Sequence, residues 1–373
     1  LVLINFQTHI SYTQNNNTKD ITVTWGSIFD YNNKYVELYS TQQTKLKLDG
    51  ISRKYYTYKL FPSYSHKVDF KNLAYDTKYN YKINMGPYQS KTFSFKTPIE
   101  NKTDLNIIVF GDMGTINAQS RNFIIKDTKS GNFDFIFHLG DIAYNLETFW
   151  GIMGNIYLTQ MQDGASTIPY MTIPGNHEHY NNFTQYINRF NMPDYKHQKN
   201  LYYSLNFPPL KMINLNTEAL YFSSLENTKQ YMIEFVTNEI KYINRTLYPW
   251  VIITGHRPMY CSNKNSDDCT SWMRDKVRTQ FEKLFVDNNI TIYLSAHEHT
   301  YERICPIYSG VCQENLSNNF YNYSKLKYPI NIISGTAGCI EGHDKFINRP
   351  NWSLVRSRNS GYANMYVNKT HLT

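Results

Sequence analysis

Phe133-Asp134-Phe135-Ile136-Phe137-His138-Leu139-Gly140-Asp141-Ile142-Ala143-Tyr144-Asn145 is an apolar run that ends abruptly in a carboxylate, with a phenol three residues further on. Phe133 to Leu139 reads as a strand buried on both faces, as in a largely parallel sheet flanked by helices. Gly140 lets the chain turn sharply where the strand stops. Asp141 and Tyr144 then stand at the carboxyl edge of the sheet, an arrangement that makes sense if both oxygens face one object. A pair of metal ions fits, with Asp141 bridging them and Tyr144 holding one as a tyrosinate.

The surrounding sequence repeats this construction. Asn106 to Phe110, Tyr170 to Ile173, Trp250 to Thr254, Ile290 to Leu294 and Ile330 to Ile333 are further apolar strand candidates. Between them, Gln119 to Lys129 reads as a helix. Leu225, Met232, Phe235, Val236, Ile240 and Ile243 fall at helical spacing, as do Met273, Val277, Phe281, Leu284 and Phe285, so both sets are core faces of helices. Most of the strands end in a donor: Gly111-Asp112-Met113-Gly114, Gly140-Asp141, Pro174-Gly175-Asn176-His177-Glu178, Gly255-His256-Arg257 and Ser295-Ala296-His297-Glu298-His299. In an open α/β sheet the carboxyl ends share one edge and form the functional crevice. Any one such turn is weak evidence, and His138 alone reads as a satisfied core residue. Five matched turns in order are strong evidence.

The donor types have separable physical reasons. A carboxylate can bridge two cations at the separation of about 3.5–4 Å that two-metal phosphoryl transfer needs. His297 and His299 lie on one side of an extended segment and can serve one ion each. Imidazole and the Asn176 amide suit a divalent ion, whereas a tyrosinate favours a trivalent one, most plausibly iron.

Residues before about Pro98 have a different rhythm. Ile21 to Trp25, Tyr35 to Tyr39 and Thr92 to Phe95 alternate with period two, as half-buried strands do. Leu73, Thr77, Tyr79, Tyr81 and Ile83 resemble the leucine and tyrosine-corner pattern of fibronectin type III-like sandwiches, with Trp25 as the core tryptophan. This region has no cluster of His, Asp or Glu and reads as a structural or substrate-rim domain. The polar segment 97–103 is a linker.

A chain of 373 residues is long enough for about two such domains, and 18% charged with 41% hydrophobic residues is a globular composition. The net charge of +8 comes from scattered Lys and Arg; without an Arg-rich stripe or recognition-helix pattern, no nucleic-acid partner is expected. No apolar run approaches the roughly 20 residues of a bilayer span. The chain opens within an apparent strand, Leu1 to Ile4, so a removed or absent leader would precede it. Cys261 and Cys269 bracket one polar loop and Cys305 and Cys312 another, which predicts at least one disulfide and an oxidising compartment. Sequons at Asn182 and Asn244 agree with secretion.

Together these motifs resemble the purple acid phosphatases, within the calcineurin-like metallophosphoesterases, over about residues 104–370. The stretches Gly255 to Cys261 and His297 to Arg303 look like the large animal-type members. The resemblance implies a fibronectin type III-like β-sandwich at 1–98 and an α/β metallophosphoesterase sandwich at 104–373, with the metal site at the carboxyl ends of its strands. It implies that Asp112, Asp141, Tyr144 and His299 bind Fe(III), and that Asp141, Asn176, His256 and His297 bind a divalent ion, zinc, iron or manganese. Ile253 and Ala296 depart from the family's usual valine and glycine; Ala296 would restrict its turn if a positive φ were needed there.

The implied reaction is hydrolysis of small phosphomonoesters by a metal-bound hydroxide, with an acid optimum and a secreted, endolysosomal or vacuolar location. His177 would protonate the leaving alcohol or orient phosphate; alternatively it orients Asn176 or a carboxylate. Arg257 and His343 are possible phosphate contacts with a structural or rim role as the simpler reading, and Glu178 and Glu298 read as orienting partners. Phosphodiester or nucleotide pyrophosphate cleavage on the same centre is the alternative. A binding protein with a vestigial site is disfavoured by the complete donor set.

Overall fold

Alternating apolar and polar residues give Lys78–Met85 one buried face, and two antiparallel sheets pack such faces together in the first hundred residues. The structure is a computed structural model that describes residues 6–41, 45–56, 62–264, 269, 275–314, 321–322 and 325–373. Leu1 to Ile4 and Met273 lie outside the described residues. One N-terminal sheet runs in the order His9–Gln14, Asn17–Ser27, Pro62–Phe70, Ile51–Tyr56; the other contains Leu46–Asp49, Lys34–Tyr39, Lys78–Met85 and Tyr88–Gln89, with Phe93–Lys96 also on Lys78–Met85. Trp25 is buried in this core. The hydroxyl of Tyr79 accepts the Ala74 N–H at 2.9 Å, closing the corner expected from sequence.

The strand Asn17–Ser27 is buried on both faces from Asp20 to Trp25, because the rest of the chain covers its polar side. Asn191 donates to Thr24 Oγ1 at 2.9 Å. Arg53 reaches the carbonyls of Ile187 at 3.1 Å and Phe190 at 3.4 Å, and the Asn191 side chain at 2.5 Å. These bonds seat the N-terminal sheet against the end of the helix Tyr180–Arg189.

Apolar strands of the remaining chain form two sheets rather than one open sheet. The first has the order Tyr170–Thr172, Phe135–His138, Asp104–Phe110, Ala363–Asn368; its first three strands are parallel and the last is antiparallel. The second has at its centre the parallel strands Leu210–Asn214, Trp250–Thr254, Ile292–Ser295 and Ile330–Ser334. The sheets meet at their carboxyl ends, where Gly111 N–H donates to the Ser334 carbonyl at 2.8 Å. The donors predicted on one sheet edge are therefore contributed from two opposed edges. Helices Glu226–Lys241 and Lys276–Asp287 carry the predicted core faces. The hairpin Tyr203–Phe207 with Leu210–Asn214 and the helix Ile152–Ala165 were not legible in the periodicity.

A cavity of about 1420 Å³ lies between the two regions, lined in part by Leu105, Phe133, Pro169 and Pro249. These residues mark the amino-terminal edge of the strands, remote from the predicted donors. Among the described residues no helix is long and apolar enough to cross a membrane.

Candidate metal centre

The strand-end turns bring all the predicted donors into one cluster. Asp112, Asp141, Tyr144 and His297 have left-handed backbones, with φ of 58°, 55°, 53° and 71°, a conformation that costs free energy and gathers at functional sites. Neighbouring glycines allow the close approach: a Cβ on Gly175 would come within 2.2 Å of Asp141 Oδ1, and one on Gly140 within 2.8 Å of His256 Nδ1. Ala296 needs no positive φ, since that role falls on His297. Its methyl instead occupies the space over Gly111, where an added Cβ would sit 2.3 Å from it.

On one side, Tyr144 Oη lies 3.2 Å from Asp112 Oδ1 and 2.8 Å from His299 Nε2, and His299 Nε2 lies 3.7 Å from Asp112 Oδ1. On the other, His256 Nε2 lies 3.2 Å from Asp141 Oδ2, 3.1 Å from Asn176 Oδ1 and 3.3 Å from His297 Nδ1. Asp141, His256 and His297 can place one ligand atom each within 4.8 Å of one another. His297 joins the two sides, because its backbone N–H donates to Asp112 Oδ2 at 2.9 Å.

Supporting bonds fix these groups. Glu178 accepts the N–H groups of Asp141 at 2.9 Å, Ile142 at 2.8 Å and Gly175 at 2.8 Å, as expected of an orienting partner. His256 Nδ1 lies 2.8 Å from the Leu139 carbonyl and His299 Nδ1 3.0 Å from that of Gly342; such contacts set the tautomer of a ligand imidazole. His177 has its N–H on Asp141 Oδ1 at 3.0 Å, its Nδ1 on Asn145 Oδ1, and its Nε2 3.8 Å from Asp141 Oδ2.

Arg257 is buried rather than at the rim. It donates to Glu218 at 2.9 Å and 3.0 Å, stacks on Tyr221, and has a guanidinium nitrogen 3.2 Å from His297 Nε2, so the nitrogen of His297 that faces the cluster is Nδ1. His343 Nε2 is 3.0 Å from Ser360 Oγ. His138 is a core residue bonded to Tyr170, with its pKa lowered by burial to about 3. Glu298 is buried.

The electrostatics of this donor set suit cations. Burial, then the charge of Asp141, pushes Asp112 well above the usual carboxylate range. Burial, then the carboxylates of Asp112 and Asp141, raises the Tyr144 phenol far above its ordinary value. Burial would raise Asp141 too, but the imidazoles of His256, His177 and His297 outweigh it and hold Asp141 low. Buried acids and a phenol that resist ionisation are stabilised by positive charge placed between them. Oxygen and imidazole donors spaced as above fit a pair of metal ions.

In the segment after Ile330–Ser334, sequence reasoning singled out His343 but missed its neighbours Cys339, Glu341 and Asp344. Cys339 Sγ lies 3.7 Å from His299 Nδ1, Asp344 accepts the His299 N–H at 2.7 Å, and Glu341 approaches His177 and His299 at 3.6 and 4.0 Å. No metal-ligand spacing marks these residues, so only the Gly-rich turns at Gly338 and Gly342 hinted at a close approach.

Comparisons with known proteins show which families the chain resembles. Residues 6–97 match the purple acid phosphatase N-terminal domain, residues 105–301 the calcineurin-like phosphoesterase family, and residues 328–373 the iron/zinc purple acid phosphatase-like protein C family. Acid phosphatase type 7 of Danio rerio is 37% identical over 332 residues, covering 83% of this chain and 73% of that protein. The Homo sapiens protein of the same name is 34% identical over 323 residues, covering 83% and 72%. A purple acid phosphatase from yellow lupin seeds (Lupinus luteus) has the same fold, with a TM-score of 0.84 and 23% identity over 98% of this chain and 70% of that one.

Proposed function

Since the chain belongs to the purple acid phosphatase family and is a metal-dependent phosphoester hydrolase, we propose that it cleaves small phosphomonoesters at a centre of one ferric and one divalent ion. The divalent ion would be zinc, iron or manganese. Asp112, Asp141, Tyr144 and His299 would hold the ferric ion, and Asp141, Asn176, His256 and His297 the divalent one. Residues 1–98 are taken as the companion sandwich and 104–373 as the catalytic domain.

The observation that carries this reading is the contact of Tyr144 with both Asp112 and His299, at 3.2 and 2.8 Å. A phenol whose burial opposes ionisation is a poor structural choice beside two carboxylates and a good ligand for a hard trivalent ion. When bound, the two ions would neutralise phosphate oxygens and lower the pKa of a water molecule well below its bulk value.

The chain's own groups do the rest. Glu178 gathers three N–H groups and so fixes the turns that present Asp141 and Asn176. Asn145 holds Nδ1 of His177, which leaves Nε2 facing the site to protonate the departing alcohol. The paired Arg257 and Glu218 keep His297 in place from behind. Relatives named as acid phosphatases favour monoesters over the diester alternative. The two disulfides, Cys261–Cys269 and Cys305–Cys312, suit a secreted or lumenal setting.

The test is metal analysis and a visible spectrum on the purified chain, with a panel of monoester, diester and nucleotide substrates. Iron at one equivalent, or at two where the divalent ion is also iron, a tyrosinate-to-iron band and monoester turnover are expected. Iron-free protein that still turns over monoesters would overturn the ligand assignment.

A further inference from the structure

We propose that Glu341 selects among phosphate esters by the charge of the leaving group, favouring esters of neutral or cationic alcohols over polyphosphates. The inference rests on the reading above, in which phosphate binds at the metal centre and His177 faces the leaving group.

Glu341 is held in place by a segment wrapped around His299. Gly114 N–H donates to the Gly338 carbonyl at 2.9 Å, tying the segment to the first donor turn. Further along, Gly342 O lies 3.0 Å from His299 Nδ1, His343 Nδ1 lies 3.4 Å from the His299 carbonyl, and Asp344 accepts the His299 N–H at 2.7 Å. The chain between these attachments has little freedom to move Glu341 away. Its Oε1 lies 3.6 Å from His177 Nε2 and its Oε2 4.0 Å from His299 Nε2, with the side chain 50% exposed. Among the described residues no Lys or Arg lies within 4.0 Å of this carboxylate.

An alcohol that takes a proton from Nε2 of His177 departs beside Oε1 of Glu341. An ammonium on that alcohol meets opposite charge. A second phosphate, as in pyrophosphate or a nucleoside triphosphate, meets like charge. Half exposure screens the interaction without removing it, so the discrimination expected from this one charge is about fivefold.

The experiment uses the metal-loaded full chain and its Glu341→Gln and Glu341→Ala variants. Two readouts are taken: kcat/KM for phosphoethanolamine and pyrophosphate, and calorimetric Kd for inorganic phosphate and pyrophosphate. Both variants are expected to shift the kcat/KM ratio toward pyrophosphate about fivefold and to tighten pyrophosphate relative to phosphate, with iron content and visible band unchanged. Unchanged ratios in both readouts overturn the inference. Loss of iron or a moved band also overturns it, because Glu341 would then be a metal ligand. Protein that hydrolyses neither ester but shows the binding shift would sink the phosphatase reading and leave the role of Glu341 standing.

Discussion

Tyr144 Oη lies 2.8 Å from His299 Nε2, although the two residues are 155 positions apart and leave strands of opposite sheets. The contact exists only where the two carboxyl edges meet, so it reports on the whole assembly. Tyr144→Phe removes the oxygen while keeping the ring. The tyrosinate-to-iron band is expected to vanish and monoester turnover to fall at least about tenfold; spectrophotometry with metal analysis checks both, and a surviving band would rule out Tyr144 as the coloured ligand.

His177→Ala is expected to lower turnover of an alkyl phosphate by about a hundredfold or more, the usual contribution of a general acid. An ester of p-nitrophenol, whose leaving group needs little protonation, is expected to lose far less. Metal content stays at the wild-type level, since His177 lies beside Asn176 without belonging to the proposed ligands. Equal losses on both esters would point to an orienting role.

Glu178→Ala leaves three buried N–H groups without their acceptor. At about 1–3 kcal/mol for each unsatisfied group, partly recovered by entering water, a loss of several kcal/mol is expected. Thermal unfolding would show it, together with weakened retention of the divalent ion.

Acid is expected to cost stability through the N-terminal sandwich. Burial, with Arg189 adding to it, lowers His9 to about 4; burial also lowers His66 to about 4, against the opposing charge of Asp30. Both imidazoles are neutral in the fold, whereas the unfolded chain takes up protons near pH 6.5. Stability is therefore full above about pH 6.5 and falls between there and pH 4, by about 2 kcal/mol per histidine at pH 5. Tm measured at pH 7 and pH 5 should drop less in His66→Gln than in the wild type; an equal drop would remove His66 from the account.

The donor turns were legible because each follows an apolar strand and ends in a residue type with few other uses there. That rule put Asp112, Asp141, Asn176, His256, His297 and His299 at strand ends and spacing put Tyr144 beside Asp141, while the family resemblance set them apart from turn neighbours such as His177 and Glu178. The companion sandwich was legible from period-two alternation and from Tyr79. Other features left no such mark. Division of the strands between two sheets depends on which apolar faces pack, and continuous apolar runs do not encode that. Glu341 and Asp344 were invisible because they lie in a loop and act by wrapping His299, a relationship set by tertiary contact. Arg257 was legible as a neighbour of His256, but its burial depends on Glu218, whose position no local pattern foretells.

The bonds from Arg53 to the end of the helix Tyr180–Arg189 stitch the sandwich to the segment that leaves the Asn176 turn. The segment follows directly on the short turn Asn176–Glu178, but Asn181, Asn182 and Phe183 have φ of 49°, 52° and 60° and interrupt the helix, so Arg53 anchors only its last turns, beyond that kink. Loss of the Arg53 side chain would therefore loosen the seam between the sandwich and the helix end, with three left-handed residues standing between that seam and the Asn176 turn.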